Sequence, residues 1–207
     1  NIKMYYKNII FDFGNVVGTF QADSILKHFC SSKEDFMLLS SILFRNWQAL
    51  DAGTIDYEEN AQIAISLLPD RLKENGRAFF AEWIRYVMPL PKTWDFIREL
   101  KERNAGIYLL SNAPTKFAEK APNVFEILKL FDGIVFSAPL KMAKPDPEIY
   151  RHLFAAFHLE PEDCFFIDDT EKEYSGRQSA WNGRNCIHAR HRCRKKSSGI
   201  LKFPTVF

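Results

Sequence analysis

Six residues in this chain have the types and positions to do chemistry together. Asp12, Ser111, Asn112, Asp168 and Asp169 each close, or directly follow, a short run of apolar residues, and Lys144 with Pro145 sits in the loop after another such run. The set is a carboxylate on one run, a carboxylate pair on a second, a hydroxyl on a third and an ammonium. Oxygen donors with room for water suit the octahedral shell of Mg²⁺. No imidazole or thiolate joins them, which disfavours zinc or iron. With such a metal screening it from an incoming anion, Asp12 can attack phosphorus and form an aspartyl phosphate. Lys144 and Ser111 would then hold the phosphoryl oxygens as charge redistributes. Each residue alone has a plainer reading. A strand-end Asp is commonly a turn or cap residue, Asp168-Asp169-Thr170 can simply begin a helix, and Lys144-Pro145 can be a solvated loop. Their joint placement on one rim carries the chemical reading.

That rim depends on the elements beneath it. The runs Asn8 to Phe13, Gly106 to Ser111, Gly133 to Phe136 and Cys164 to Ile167 are nearly continuous in Ile, Val, Phe, Leu and Tyr. This pattern predicts parallel strands covered on both faces, since a half-exposed antiparallel strand would alternate. Between them, Trp94, Ile97 and Leu100 are spaced by three ahead of Gly106, which predicts a helix over Lys92 to Asn104. Asp146-Pro147 reads as an N-cap and first-turn proline for a helix carrying Ile149, Leu153, Phe154 and Phe157. Alternating strand and helix predict an α/β fold with a right-handed, doubly wound parallel sheet. Ligands of such sheets bind beyond the carboxyl ends of the strands, where the six residues fall. Residues Gln21 to Met88 break the rhythm, with amphipathic stretches around Ile25 to Phe29, Tyr57 to Leu68 and Phe79 to Val87 and no convincing strand. They read as an all-helical insertion.

At 207 residues, 46% hydrophobic, 14% aromatic and 26% charged, the chain has globular composition, which excludes disordered, collagenous and disulfide mini-protein classes. A net charge of +2 gives no general preference for nucleic acid or anionic membrane. Cys30, Cys164, Cys186 and Cys193 lack the pairing of a secreted disulfide framework, and no apolar run approaches the roughly 20 residues of a membrane-spanning helix. With Asn1 to Lys7 polar and aromatic and no signal-like core after it, the expectation is a soluble, cytoplasmic protein. Its partner would be a small-molecule phosphate ester, with no nucleic acid and no membrane; oligomeric state is not legible.

Four ordered segments resemble the haloacid dehalogenase superfamily of hydrolases: Ile-Ile-Phe-Asp12-Phe-Gly-Asn-Val, Leu-Leu-Ser111-Asn, Lys144-Pro-Asp-Pro-Glu-Ile-Tyr and Phe-Phe-Ile-Asp168-Asp169-Thr. The resemblance covers Tyr6 to about Lys172. It implies a Rossmann-like core with Asp12 as nucleophile and with Ser111, Asn112 and Lys144 at the phosphate. It also implies Mg²⁺ held by Asp12, the Gly14 carbonyl and the Asp168/Asp169 pair, Asp169 being the preferred direct ligand. The insertion resembles the family's cap, which closes over small substrates and sets specificity. The implied organisation is a core of residues 1–20 plus 89–172, a cap of residues 21–88, and a tail of residues 173–207. The Asp-x-Gly-Asn pattern resembles a branch that includes sugar-phosphate phosphatases. A 2-haloacid dehalogenase, which needs no metal, is the enzymatic alternative, and a non-catalytic binding protein is the alternative from another class.

Two departures from the family pattern stand out. Many of its phosphatases carry a second Asp two places after the nucleophile as general acid and base, and here that position is Gly14. Loss of a positioned proton donor typically costs about 10²–10⁴ in rate. Water, Asp51 or Asp56 are the substitutes in reach. The second departure is the tail. The chain carries 20 basic and 25 acidic residues up to Lys172, then 8 basic and one acidic. Where the family usually places Asp or Asn four residues after the pair, this chain has Glu173. An assumed coding sequence for Glu-Lys-Asn-Ile-Ala-Ala-Gly, read after one added A, yields Glu-Lys-Glu-Tyr-Ser-Gly-Arg, the residues at 171–177. We read the tail as the product of such a shift, a hypothesis that fails if no neighbouring frame of the gene encodes a family-like ending. Cys186-x-His188-x-x-His191-x-Cys193 lacks the paired spacing of zinc modules and reads as coincidence in a basic tail.

Overall fold

The computed structural model describes residues 6–169 and 186–188. Five parallel strands form one sheet in the order β3-β2-β1-β4-β5: β1 (Asn8–Phe11), β2 (Gly106–Ser111), β3 (Gly133–Phe136), β4 (Cys164–Asp168) and β5 (Cys186–His188). β1 lies at the centre, with Ile9 opposite Ile107 on one side and Phe165 on the other. The four expected strands are present, and β5 is a three-residue addition that pairs Phe166 with Cys186. The rest of the basic tail, including His191 and Cys193 of the Cys/His cluster, lies outside the described residues.

The apolar runs are continuous because both faces of the sheet are buried. Ile9, Phe11, Ile107, Leu109 and Phe165 join one cluster, while Ile10, Leu110, Val135 and Phe166 join another with Ile149, Tyr150 and Leu153. The period of two along each strand thus feeds two cores.

β1 ends two residues earlier than the apolar run suggested. The amide of Asp12 still bonds to Ile167 O (2.9 Å), but Phe13 turns away, its ring centroid 4.9 Å from those of Phe117 and Phe125. Its carbonyl accepts from the amides of Val16, Val17 and Gly18, closing a tight loop around Gly14.

Between β1 and the next core helix stand five helices and no strand: α1 (Ala22–Leu26), α2 (Lys33–Leu43), α3 (Trp47–Asp51), α4 (Tyr57–Ser66) and α5 (Lys73–Glu82). Ser32 caps α2 by accepting from Asp35 N, and Asp56 caps α4 by accepting from Glu59 N. The way in and the way out run side by side: Thr19 N donates to Met88 O (2.8 Å) and Leu90 N to Val17 O (3.1 Å). Leu39, Phe79 and Trp83 belong to the same apolar cluster as Ile9 and Phe11, so the insertion shares a core with one face of the sheet.

The remaining helices are α6 (Pro91–Glu102), α7 (Thr115–Val124), α8 (Ser137–Leu140) and α9 (Pro147–Phe157). α6 and α9 match the expected helices, and α9 has Asp146 as its cap, accepting from Glu148 N. Among the described residues no helix is long and apolar enough to cross a membrane, and Cys30 and Cys164 are free.

Candidate active site

The carboxyl ends of β1, β2 and β4 bring the expected residues to one cavity of about 270 Å³. Asp12, Gly14, Ser111, Asn112, Lys144 and Asp169 line it. Asp168, the last residue of β4, is buried beneath them.

Lys144 organises the floor. Its Nζ lies 3.1 Å from Asp12 Oδ1 and 3.1 Å from Asp168 Oδ2, and both it and Asp168 are buried. Asp12 Oδ1 also accepts from Phe13 N (2.7 Å). Burial raises the Asp12 carboxyl to about 6 even though Lys144 pulls the other way. One oxygen from each of Asp12, Asp168 and Asp169 lies within 4.8 Å of the others. Three carboxylates against one ammonium leave a deficit that a divalent cation would balance, and the donors are all hard oxygens, so the residues fit Mg²⁺.

Two residues have roles that sequence reading did not anticipate. Asn112, expected at the substrate, spends its amide on the Lys144 backbone: Nδ2 donates to Lys144 O (2.9 Å) and Oδ1 accepts from Lys144 N (2.8 Å). Asn15 follows Gly14 in the segment that begins at Asp12, and the sequence gives it no role. Its backbone is left-handed (φ 53°), which Asn tolerates better than most residues. Its side chain joins the loop to the carboxylate cluster, donating to Asp169 Oδ2 (3.2 Å) and accepting from Phe20 N (2.9 Å).

Above the floor the wall is apolar: Phe20, Trp47, Trp83, Val87 and Phe117. Phe20 stacks on Trp47, and Trp83 stacks on Phe117 with centroids 5.7 Å apart, so the insertion and α7 meet through aromatic faces. Such pairs are worth about 0.5–1.5 kcal/mol each beyond burial. This wall was not legible in the sequence, because α3 is a single turn and a half with no readable period.

Asp51, at the end of α3, is the one ionisable residue that the insertion adds to the cavity. Asp56 is exposed and occupied as the α4 cap.

The chain belongs to the haloacid dehalogenase-like hydrolase family, whose sequence profile matches residues 6–180. A sesquiterpene phosphatase of Aspergillus oryzae is 27% identical over 169 residues, covering 79% of this chain and 81% of that protein. A phosphoserine phosphatase of Thermus thermophilus is 27% identical over 113 residues, which is 54% of this chain but only 45% of its own length. The match thus spans most of the first relative and under half of the second. A crystal structure of a HAD family enzyme from Bacteroides thetaiotaomicron, in complex with magnesium and inorganic phosphate, shares the fold with a TM-score of 0.67. It is 21% identical, and the likeness covers 93% of this chain and 98% of that one.

Proposed function

We propose that this hydrolase is a Mg²⁺-dependent phosphatase that cleaves a small-molecule phosphate monoester through an aspartyl phosphate on Asp12. The observation that carries the reading is the gathering of Asp12, Asp168 and Asp169 around one position, with Lys144 bridging two of them. A 2-haloacid dehalogenase has no use for that cluster, since its carboxylate attacks carbon without a metal.

Asp12, Asp169 and the Gly14 carbonyl would hold the ion, with Asp168 supporting them from below. When bound, Mg²⁺ neutralises the carboxylates and the phosphate dianion so that the two can approach. The chain's own groups do the rest. Asp12 attacks phosphorus as a carboxylate, a form that Lys144 favours. Lys144 and the Ser111 hydroxyl bind phosphoryl oxygens that gain charge in the transition state, the situation in which fixed donors lower a barrier most. Asn112 positions Lys144, Asn15 positions Asp169, and the insertion acts as a cap that excludes water from the reacting atoms.

The apolar wall favours a second reading for the alcohol part of the substrate. The Asp-x-Gly-Asn pattern points toward sugar phosphates, but Phe20, Trp47, Trp83, Val87 and Phe117 offer burial rather than hydrogen bonds to hydroxyl groups. An alcohol with an extended apolar face, such as a terpenoid, suits them, in line with the name of the Aspergillus relative.

Release of phosphate from p-nitrophenyl phosphate tests the function. Turnover is expected with Mg²⁺, and EDTA or Asp12→Asn should abolish it; metal-independent turnover, or turnover by Asp12→Asn, would refute the reading. Comparing prenyl with hexose monophosphates then decides between the two alcohols.

A further inference from the structure

We propose that Asp51 is the proton-transfer group of the reaction, delivered to the site by the helical insertion. This rests on the phosphatase reading and adds a catalytic residue to it.

The chemistry requires such a group. When Asp12 attacks phosphorus and the ester P–O bond breaks, an alkoxide leaves unless a proton arrives. When water then attacks the phosphorus of the aspartyl phosphate, it must lose a proton. Among the described residues, the ionisable ones that line the cavity are Asp12, Asp51, Lys144 and Asp169. Asp12 is the nucleophile, Asp169 belongs to the carboxylate cluster, and Lys144 is held between Asp12 and Asp168. Asp51 is what remains.

Its setting is built. Asp51 Oδ1 is shielded from solvent and has no hydrogen-bond partner among the described residues. A buried carboxyl oxygen left without a protein partner costs free energy, so stability does not favour it. Two contacts fix the backbone around it. The fully buried Ser137, just after β3, donates its hydroxyl to Asp51 O and accepts from Ala113 N (2.9 Å), two residues past Ser111. Next, Gly53 has φ +67°, and a Cβ there would stand 2.1 Å from Ala138 O. The corner from Asp51 to Gly53 is thus seated directly on the core beside the phosphate-binding loop. Burial and the charge of Asp12 raise the Asp51 carboxyl to about 7, so both of its forms are accessible near neutrality.

The proton balance closes. Asp51 as the acid gives its proton to the leaving oxygen, producing the free alcohol and the Asp51 carboxylate. That carboxylate takes one proton from the attacking water, whose oxygen bonds to phosphorus. The Asp12–phosphate bond breaks, inorganic phosphate leaves, and both aspartates return to their starting forms.

The experiment compares an ester whose leaving group needs no proton, p-nitrophenyl phosphate, with a simple alkyl phosphate, using wild-type protein, Asp51→Asn and Asp51→Glu with Mg²⁺. Asp51→Asn should lose about 10²–10⁴ in rate on the alkyl ester. On p-nitrophenyl phosphate it should give a burst of p-nitrophenolate equal to the enzyme present, followed by slow turnover, because Asp12 still attacks but water lacks its base. Asp51→Glu should recover part of the alkyl rate. Wild-type rates on both esters for Asp51→Asn overturn the proposal. So does equal loss on both without a burst, which is what a merely structural role would give. If wild-type protein hydrolyses neither ester, the phosphatase reading itself falls and the proposal with it.

Discussion

Asn112 and Lys144, 32 residues apart, are locked together by two hydrogen bonds, the side-chain amide of one holding both the N–H and the C=O of the other. This is how a loop after β3 delivers an ammonium group to a carboxylate at the end of β1. The two bonds fix the backbone from which Nζ reaches Asp12 and Asp168.

Asn112→Ala should therefore do two things. It leaves two backbone groups of Lys144 without their partners, a loss of about 1–3 kcal/mol in a buried setting. It also lets Nζ drift from Asp12, and a shift near 1 Å can cost about 10² in rate. Chemical denaturation and phosphate release measure the two effects separately.

Lys144→Met should lower turnover by more than about 10², since it removes the donor that we propose meets the phosphoryl oxygens. It also strips Asp12 and Asp168 of their buried counter-ion, and breaking such a pair costs about 3–5 kcal/mol. The loss of stability should be largest at alkaline pH without divalent ions and should shrink when Mg²⁺ is added, as thermal melts would show.

The pH dependence of stability should carry the mark of Asp51. In the unfolded chain its carboxyl titrates near 3.8, and in the folded chain near 7. Between those values the folded state holds a proton that the unfolded state has lost, so stability falls as pH rises and the penalty is complete above pH 7. At about 1.4 kcal/mol per pH unit, the roughly two units between pH 5 and pH 7 amount to on the order of 3 kcal/mol. Melts in EDTA at pH 5 and pH 8.5 should show wild-type protein losing that much more than Asp51→Asn.

Gly14 offers a complementary change. A Cβ there would meet Phe20 Cβ at 3.6 Å, an ordinary contact, so a Cβ can be accommodated. Gly14→Asp places a carboxyl where related phosphatases keep their acid. In an Asp51→Asn background it should restore at least about tenfold of the lost alkyl-phosphate activity.

The sequence revealed most where chemistry and burial share a local signature. Runs such as Ile9-Ile10-Phe11 and Phe165-Phe166-Ile167 mark buried parallel strands, and the residues that end them mark the rim, so Asp12, Ser111, Asp168 and Asp169 could be placed together in advance. The Lys144 loop followed from its order among the motifs. What could not be read depends on contacts between distant segments. Trp47 lies on a five-residue helix with no period to detect, and its role comes from stacking on Phe20 and packing against Trp83. The hold of Asn112 on the Lys144 backbone could not be read, because its partner lies 32 residues away. Asp51 and Asp56 could not be told apart by spacing. Only the seat formed by Ser137 and Gly53 takes one into the cavity, while the other caps a helix.

The most direct test of the account follows oxygen from water. Wild-type protein with Mg²⁺ is offered p-nitrophenyl phosphate and 2-chloropropionate together in water enriched in ¹⁸O, and the products and the peptide containing Asp12 are weighed by mass spectrometry. Attack of water on phosphorus predicts ¹⁸O in the released phosphate and an unlabelled Asp12. Accumulation of ¹⁸O in the Asp12 carboxylate with release of chloride, or no labelled phosphate at all, would contradict it.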